Sequence, residues 1–124
     1  MGITTEHDRA RDLTIFRASG ELTYEMQIEA LSRFYAGEPT PNVLWDMREI
    51  RGNRVSSGEL QRIVAFAKQH TDKRARGKTA LVVGSKLDFG LSRQVDAYAD
   101  NEQLPWKIRP FLSLRSALTW IEED

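Results

Sequence analysis

The stretch Asn42–Leu60, NVLWDMREIRGNRVSSGEL, decides how this chain is read. Val43-Leu44-Trp45 is a continuous apolar run, too short for a helix and apolar on both faces. That pattern fits a strand buried on both sides, as in a parallel sheet. Asp46 ends the run, and the polar segment after it, with Gly52 and Asn53, reads as a loop. Ser56 and Glu59 then show the S-x-x-E spacing of a capping box, with Val55 and Leu60 placed for the accompanying hydrophobic staple. Leu60, Ile63, Val64 and Ala67 form one helical face, so the spacing predicts a helix from about Ser57 to about His70. Strand, loop and helix gather polar groups where the strand ends. In open α/β sheets that is where ligands and partners bind.

Working outward, Ile3–Asp8 and Asp12–Ser19 read as two strands joined by a hairpin turn at Asp8-Arg9-Ala10-Arg11. Thr23 caps a helix whose inner face is Tyr24, Ile28, Leu31 and Tyr35, and Gly37, Pro39 and Pro41 end it. Beyond the central stretch, Thr79–Val83 is another apolar strand. Asp88 can cap a helix with Leu91, Val95, Tyr98 and Ala99 inside, broken at Leu104-Pro105. Trp106–Leu112 reads as a last strand, placed at a sheet edge because Pro110 lacks a donor. Ser113 caps the final helix, with Leu114, Ala117, Leu118 and Ile121 inward. The order β-β-α-β-α-β-α-β-α predicts an α/β fold: a mostly parallel five-stranded sheet, one antiparallel edge strand and four helices, in a single domain over 1–124.

Composition narrows the function. Eighteen basic and eighteen acidic side chains cancel, so no overall field draws nucleic acid or an anionic membrane. Cysteine is absent, which excludes disulfides, thiolate metal sites and thiol catalysis. No apolar run approaches the ~20 residues of a membrane span, and MGITTEHDRARD carries no apolar signal segment, so a cytoplasmic protein is expected. His7 and His70 lack partners at metal spacing. No serine lies in a nucleophile elbow and no glycine loop can cradle phosphate. Asp46 and Arg48 read as an ion pair or loop anchor. The expectation is therefore a non-enzymatic protein with no catalytic residue, cofactor or metal.

Ser56 and Ser57 stand at a helix start, where an added phosphate would be favoured, so both are phosphorylation candidates as well as caps. Arg93 can reach Asp46 or an anion. Phe89, with Leu87 and Leu91 around Gly90, either fills the core or forms a lid over an apolar pocket. Lys73, Arg74, Arg76 and Lys78 read as a solvated basic loop near a helix C-terminus, or as an anion or partner contact. Trp106 and Ile108 on the edge strand, with Trp120 in the last helix, predict a weak homodimer.

These residues carry a resemblance. VLWDMREIRGNRVSSGEL resembles the region of STAS domains around their Asp-Ser-Ser-Gly motif. GELT at Gly20–Thr23, LWDMR at Leu44–Arg48, GKTALVV at Gly77–Val83, FGLSR at Phe89–Arg93 and the ending ALTWIEE look like the SpoIIAA-like family of small bacterial proteins. The resemblance implies a SpoIIAA-like fold with helices mainly on one face of the sheet. In antagonists of that kind, the serine after the motif aspartate is phosphorylated by a partner kinase. The matching serine here is Ser56, with Val55 where the aspartate would stand. The resemblance implies a binding or regulatory domain that meets a protein partner or small ligand at Asp46, Arg48, Ser56, Ser57, Phe89 and Arg93. The alternative it implies is an apolar-ligand or lipid-binding module resembling CRAL-TRIO domains, in peripheral contact with a membrane.

Overall fold

A computed structural model describes residues 2–86, 93, 97 and 103–123. The expected turn at Asp8 forms a short 3-10 helix, Arg9–Arg11, with the Asp8 carboxylate accepting from the Arg11 N–H and Asp12 in the left-handed region. It joins β1 (Gly2–Asp8) to β2 (Leu13–Leu22), an antiparallel pair. Then follow α1 (Tyr24–Ala36), β3 (Asn42–Asn53), α2 (Ser57–Lys68), β4 (Lys78–Val82), β5 (Lys107–Phe111) and α3 (Leu114–Glu122). The sheet runs β1-β2-β3-β4-β5, parallel from β2 onward. Among the described residues there are three helices. The helix expected after Asp88, and the placement of Phe89, lie outside the described residues.

Alternation along the strands makes two cores. Leu13, Ile15, Leu44, Ala80, Val82 and Phe111 pack on one face against Ala117, Trp120 and Ile121 of α3. Phe16, Val43, Trp45 and Leu81 pack on the other, against Leu31, Phe34 and Tyr35 of α1 and Ile63 and Phe66 of α2. Phe16 stacks on Trp45 at 4.4 Å between ring centroids. Two of the three described helices thus share a face. They follow successive steps of the parallel sheet in one direction, which right-handed crossovers place on the same side. The predicted caps form: Thr23 accepts from Met26 N–H, Ser113 from Ser116 N–H, and Ser56 and Glu59 make the full reciprocal box. Inside α1, Leu31 and Tyr35 are buried as expected, while Gln27 and Phe34 take the remaining buried positions from Tyr24 and Ile28.

Three readings of the sequence need correction. First, the polar segment after Asp46 is strand, because β3 continues to Asn53 beside β2. Asp46 to Glu49 spans three steps against two from Arg17 to Ser19, and Ile50 to Gly52 spans two against one from Gly20 to Glu21. Each extra residue is a bulge that resets which face the next side chain meets. Met47, Ile50 and Asn53 consequently line one side of a single pocket at a spacing of three, with Asn53 exposed. Second, the basic run is only in part a solvated loop: Lys73 and Arg76 are exposed, while Arg74 is buried and Lys78 belongs to β4. Lys73 Nζ donates to the Tyr35 carbonyl in the last turn of α1. Lys78 Nζ donates to the Trp120 and Glu123 carbonyls at the end of α3. Cations do sit at helix C-termini, as the dipole favours, but at those of distant helices, and Arg74 is buried. Third, Trp106 and Trp120 are only 5% and 8% exposed, so they serve the monomer's interior. Of the features that suggested self-association, the edge position of β5 and half-buried Ile108 remain.

Gly77 has φ +115°, and a Cβ there would lie 1.8 Å from the Pro41 carbonyl oxygen. Both the conformation and the contact require glycine. Gly77→Ala is expected to lower stability by more than the ~1–3 kcal/mol of a strained backbone alone, read from the urea midpoint. Ser56→Ala should cost about 1 kcal/mol through loss of the cap, seen in the same measurement as a smaller shift without change of slope.

Candidate functional site

Asp46 lies at the C-terminal end of the buried part of β3 and is 5% exposed. Its two oxygens accept from Arg48 Nε and Nη2, both at 2.9 Å, and Arg17 Nε stands 3.9 Å away. The Arg48 hydrogen bonds hold its carboxyl below the ordinary value of 3.8, outweighing burial. A carboxylate so committed is an anchor: it locks the first bulge of β3 in place. Arg48 is the partner the sequence indicated. Arg93 is helical and exposed and borders a shallow groove along β5. Among the described residues Asp46 has its ion pairs with Arg48 and Arg17, and the expected reach from Arg93 is absent.

Strand alternation separates the remaining candidates. Asp46 shares a face with Leu44, on the α3 side, whereas α2 covers the face of Val43 and Trp45. Ser56 and Ser57 are exposed at the start of α2. The Ser56 hydroxyl accepts from Glu59 N–H at 3.2 Å, and Glu59 Oε1 accepts from Ser56 N–H at 3.0 Å. The sheet therefore parts the Asp46 ion pair from the serines rather than uniting them in one surface.

What lies behind the serines is a cavity of about 130 Å³ between the sheet and helices α1 and α2. Leu60, Ile63, Val64 and Ala67 of α2 form one wall, the same face that the sequence assigned to that helix. Val55 reaches the same cavity. Trp45 and Leu81 form the floor, with Met47 and Ile50 beyond the first bulge. Most of the lining is apolar, with a few polar groups, which is the usual make-up of small-ligand sites.

Of those polar groups, Gln27 was not singled out by sequence reasoning, and Arg74 only as one member of a basic run. Gln27, 9% exposed, lines the cavity, and among the described residues its Oε1 has no hydrogen-bond partner. Its signal was weak: one glutamine at a position that belongs to the apolar face of α1. Arg74 also lines the cavity. Its Nε and Nη2 both donate to the Pro41 carbonyl, and Nη2 also meets the Lys78 carbonyl and Thr79 Oγ1 at 2.7 Å. The guanidinium stacks over Trp106 at 4.2 Å. Burial without a carboxylate pushes Arg74 down to about 10, with Tyr35 acting the other way. His70 is likewise occupied: it stacks on Tyr35 at 4.3 Å, and its Nδ1 donates to the Phe66 carbonyl.

Asp46→Asn should remove an acid-sensitive contribution. A carboxyl lowered in the folded state stabilises fully above 3.8 and loses that contribution as pH falls through the lowered value. The substituted protein should be less stable at pH 7 and show a shallower loss of stability below pH ~4, measured by urea titration at each pH. Arg74→Lys keeps a charge but loses the planar fork. Hydrogen bonds to charged groups are worth about 1.5–3 kcal/mol each, so a drop of at least ~2 kcal/mol is expected in the same assay.

No known family matches the chain in a family scan, and no curated protein matches it in sequence. Among solved structures it is similar to an uncharacterised protein of the DUF3478 family with a SpoIIAA-like fold from Shewanella loihica PV-4. The likeness has a TM-score of 0.60 and 26% identity, and covers 97% of this chain and 94% of that one. The mostly parallel five-stranded sheet and its antiparallel first pair agree with what the sequence implied. The chain has an α/β fold of the SpoIIAA-like kind.

Proposed function

We propose that this chain is a non-enzymatic regulatory domain that takes a small, largely apolar ligand between its sheet and α1 and α2, and presents the start of α2 to a protein partner. One observation carries the reading: α2 is at once a wall of the cavity and the bearer of the exposed Ser56 cap. A ligand that moves the wall moves the surface at Ser56 and Ser57. Support for a non-catalytic role comes from the polar groups: Asp46, Arg74 and His70 are each held by structural partners. The size bears on the alternative of a lipid. A cavity of about 150 Å³ takes one benzene, so about 130 Å³ suits a compact ligand better than a long acyl chain.

The test is amide-detected NMR of the whole chain during titration with a panel of small aromatic and aliphatic compounds. Saturable shifts are expected at Leu60, Ile63 and Val64, and also at Ser56 and Glu59. Val64→Trp, which fills the space, should abolish both sets. Shifts confined to exposed residues, or unchanged by the filling substitution, would defeat the proposal. A fatty-acid mass retained in native mass spectrometry would favour the lipid alternative instead.

A further inference from the structure

We propose that the cavity under α1 and α2 selects a neutral, phenol-class ligand: a single aromatic ring bearing one hydroxyl, whose O–H donates to Gln27 Oε1. This rests on the reading of the cavity as a ligand site and specifies its chemistry. The argument starts from the unpartnered oxygen. A buried acceptor without a donor costs about 1–3 kcal/mol, and native interiors rarely tolerate one. Gln27 is more than nine-tenths buried, and the space its side chain borders is the cavity. Leucine there would avoid the penalty and match the neighbouring Leu31 and Phe34. A glutamine therefore suits a bound molecule that supplies the missing donor.

Three further features define that molecule. A single ring suits the volume of about 130 Å³, since a cavity slightly larger than this one holds benzene. The lining favours an aromatic ring: Phe34, Tyr35, Trp45 and Trp106 all border the space, and aromatic groups pack favourably edge-to-face or offset. Charge is disfavoured. Gln27 Oε1 is an acceptor and repels a carboxylate, while the Arg74 Nε and Nη2 donors are directed at Pro41, Lys78 and Thr79. A water molecule needs two to four polar partners, and the mostly apolar lining is a poor source of them.

The experiment measures phenol, toluene and benzoate binding to the full chain by calorimetry, with thermal shift as a second readout. Phenol and toluene share a shape and differ in the hydroxyl, and comparing their ratio between proteins cancels the difference in hydrophobicity. Wild type should bind phenol saturably and more tightly than benzoate. Gln27→Leu should lower the phenol-to-toluene affinity ratio about tenfold, the effect of one buried hydrogen bond. Gln27→Met, unbranched and of similar length, makes the same comparison if the leucine variant folds poorly. An unchanged ratio, or benzoate binding best, overturns the phenol-class assignment while leaving a ligand cavity standing. Failure of all three compounds to bind overturns the assignment and counts against the cavity reading as well.

Discussion

The buried guanidinium of Arg74 is the interaction on which the rest of this structure depends. It ties the segment before β3, through the Pro41 carbonyl, to the start of β4, through Lys78 and Thr79, and it stacks on Trp106 just before β5. Three segments far apart in sequence therefore meet at one planar group. A cation taken out of water is tolerable only when its donors are answered. Here carbonyls, a hydroxyl and an aromatic face do so without a carboxylate. Gly77 completes the arrangement, since its bare Cα lets the chain pass over the Pro41 carbonyl that the guanidinium holds. Asn42 repeats the logic beside it, donating to the Arg11 carbonyl and accepting from Lys78 N–H. The amino ends of β2, β3 and β4 are fixed in register by these two side chains.

That clamp also explains what the sequence could and could not disclose. Caps and apolar strands were legible because they are local: Ser56 with Glu59, Ser113 with Ser116, and Val43-Leu44-Trp45 each declare themselves within a few residues. Arg74 was illegible because nothing nearby distinguishes it from Arg76. Its partners come from Pro41 and Trp106, which only tertiary folding brings to it. The second half of β3 was illegible for a different reason. Strand patterns are recognised by a period of two, and two bulges turn Met47, Ile50 and Asn53 into a period of three. The irregularity that hid the strand also directs those side chains to the cavity.

The polar site was legible in its parts but not in its geometry. Asp46 and Arg48 did pair, while the sequence, which grouped them with Ser56, did not show that Asp46 and α2 belong to different faces of the sheet. Ten residues separate Asp46 from Ser56, and in that span the chain leaves one face and reappears above the other. Nearness along a strand is no guide to nearness in space, because successive side chains point to opposite sides. The ion pair then belongs with the α3 core and secures the bulge, while the helix start belongs with the cavity.

This division gives the two faces different mechanical characters. The α3 face is packed by Phe111, Trp120 and Ile121 and braced at the helix end by Lys78. The α1–α2 face retains open volume next to an unanswered acceptor. Close-packed interiors transmit displacement and resist it, whereas a void deprives its lining of contacts that would hold it in place. Within this domain α2 therefore covers the less closely packed of the two faces. Its first turn carries the reciprocal Ser56–Glu59 bonds at the surface. A change beneath Ile63 and Val64 travels less than three turns of helix to reach them, along a backbone hydrogen-bonded throughout. The fold thus places a wall of the cavity and an exposed helix start on one helix, above a sheet whose strands the Arg74 clamp ties together.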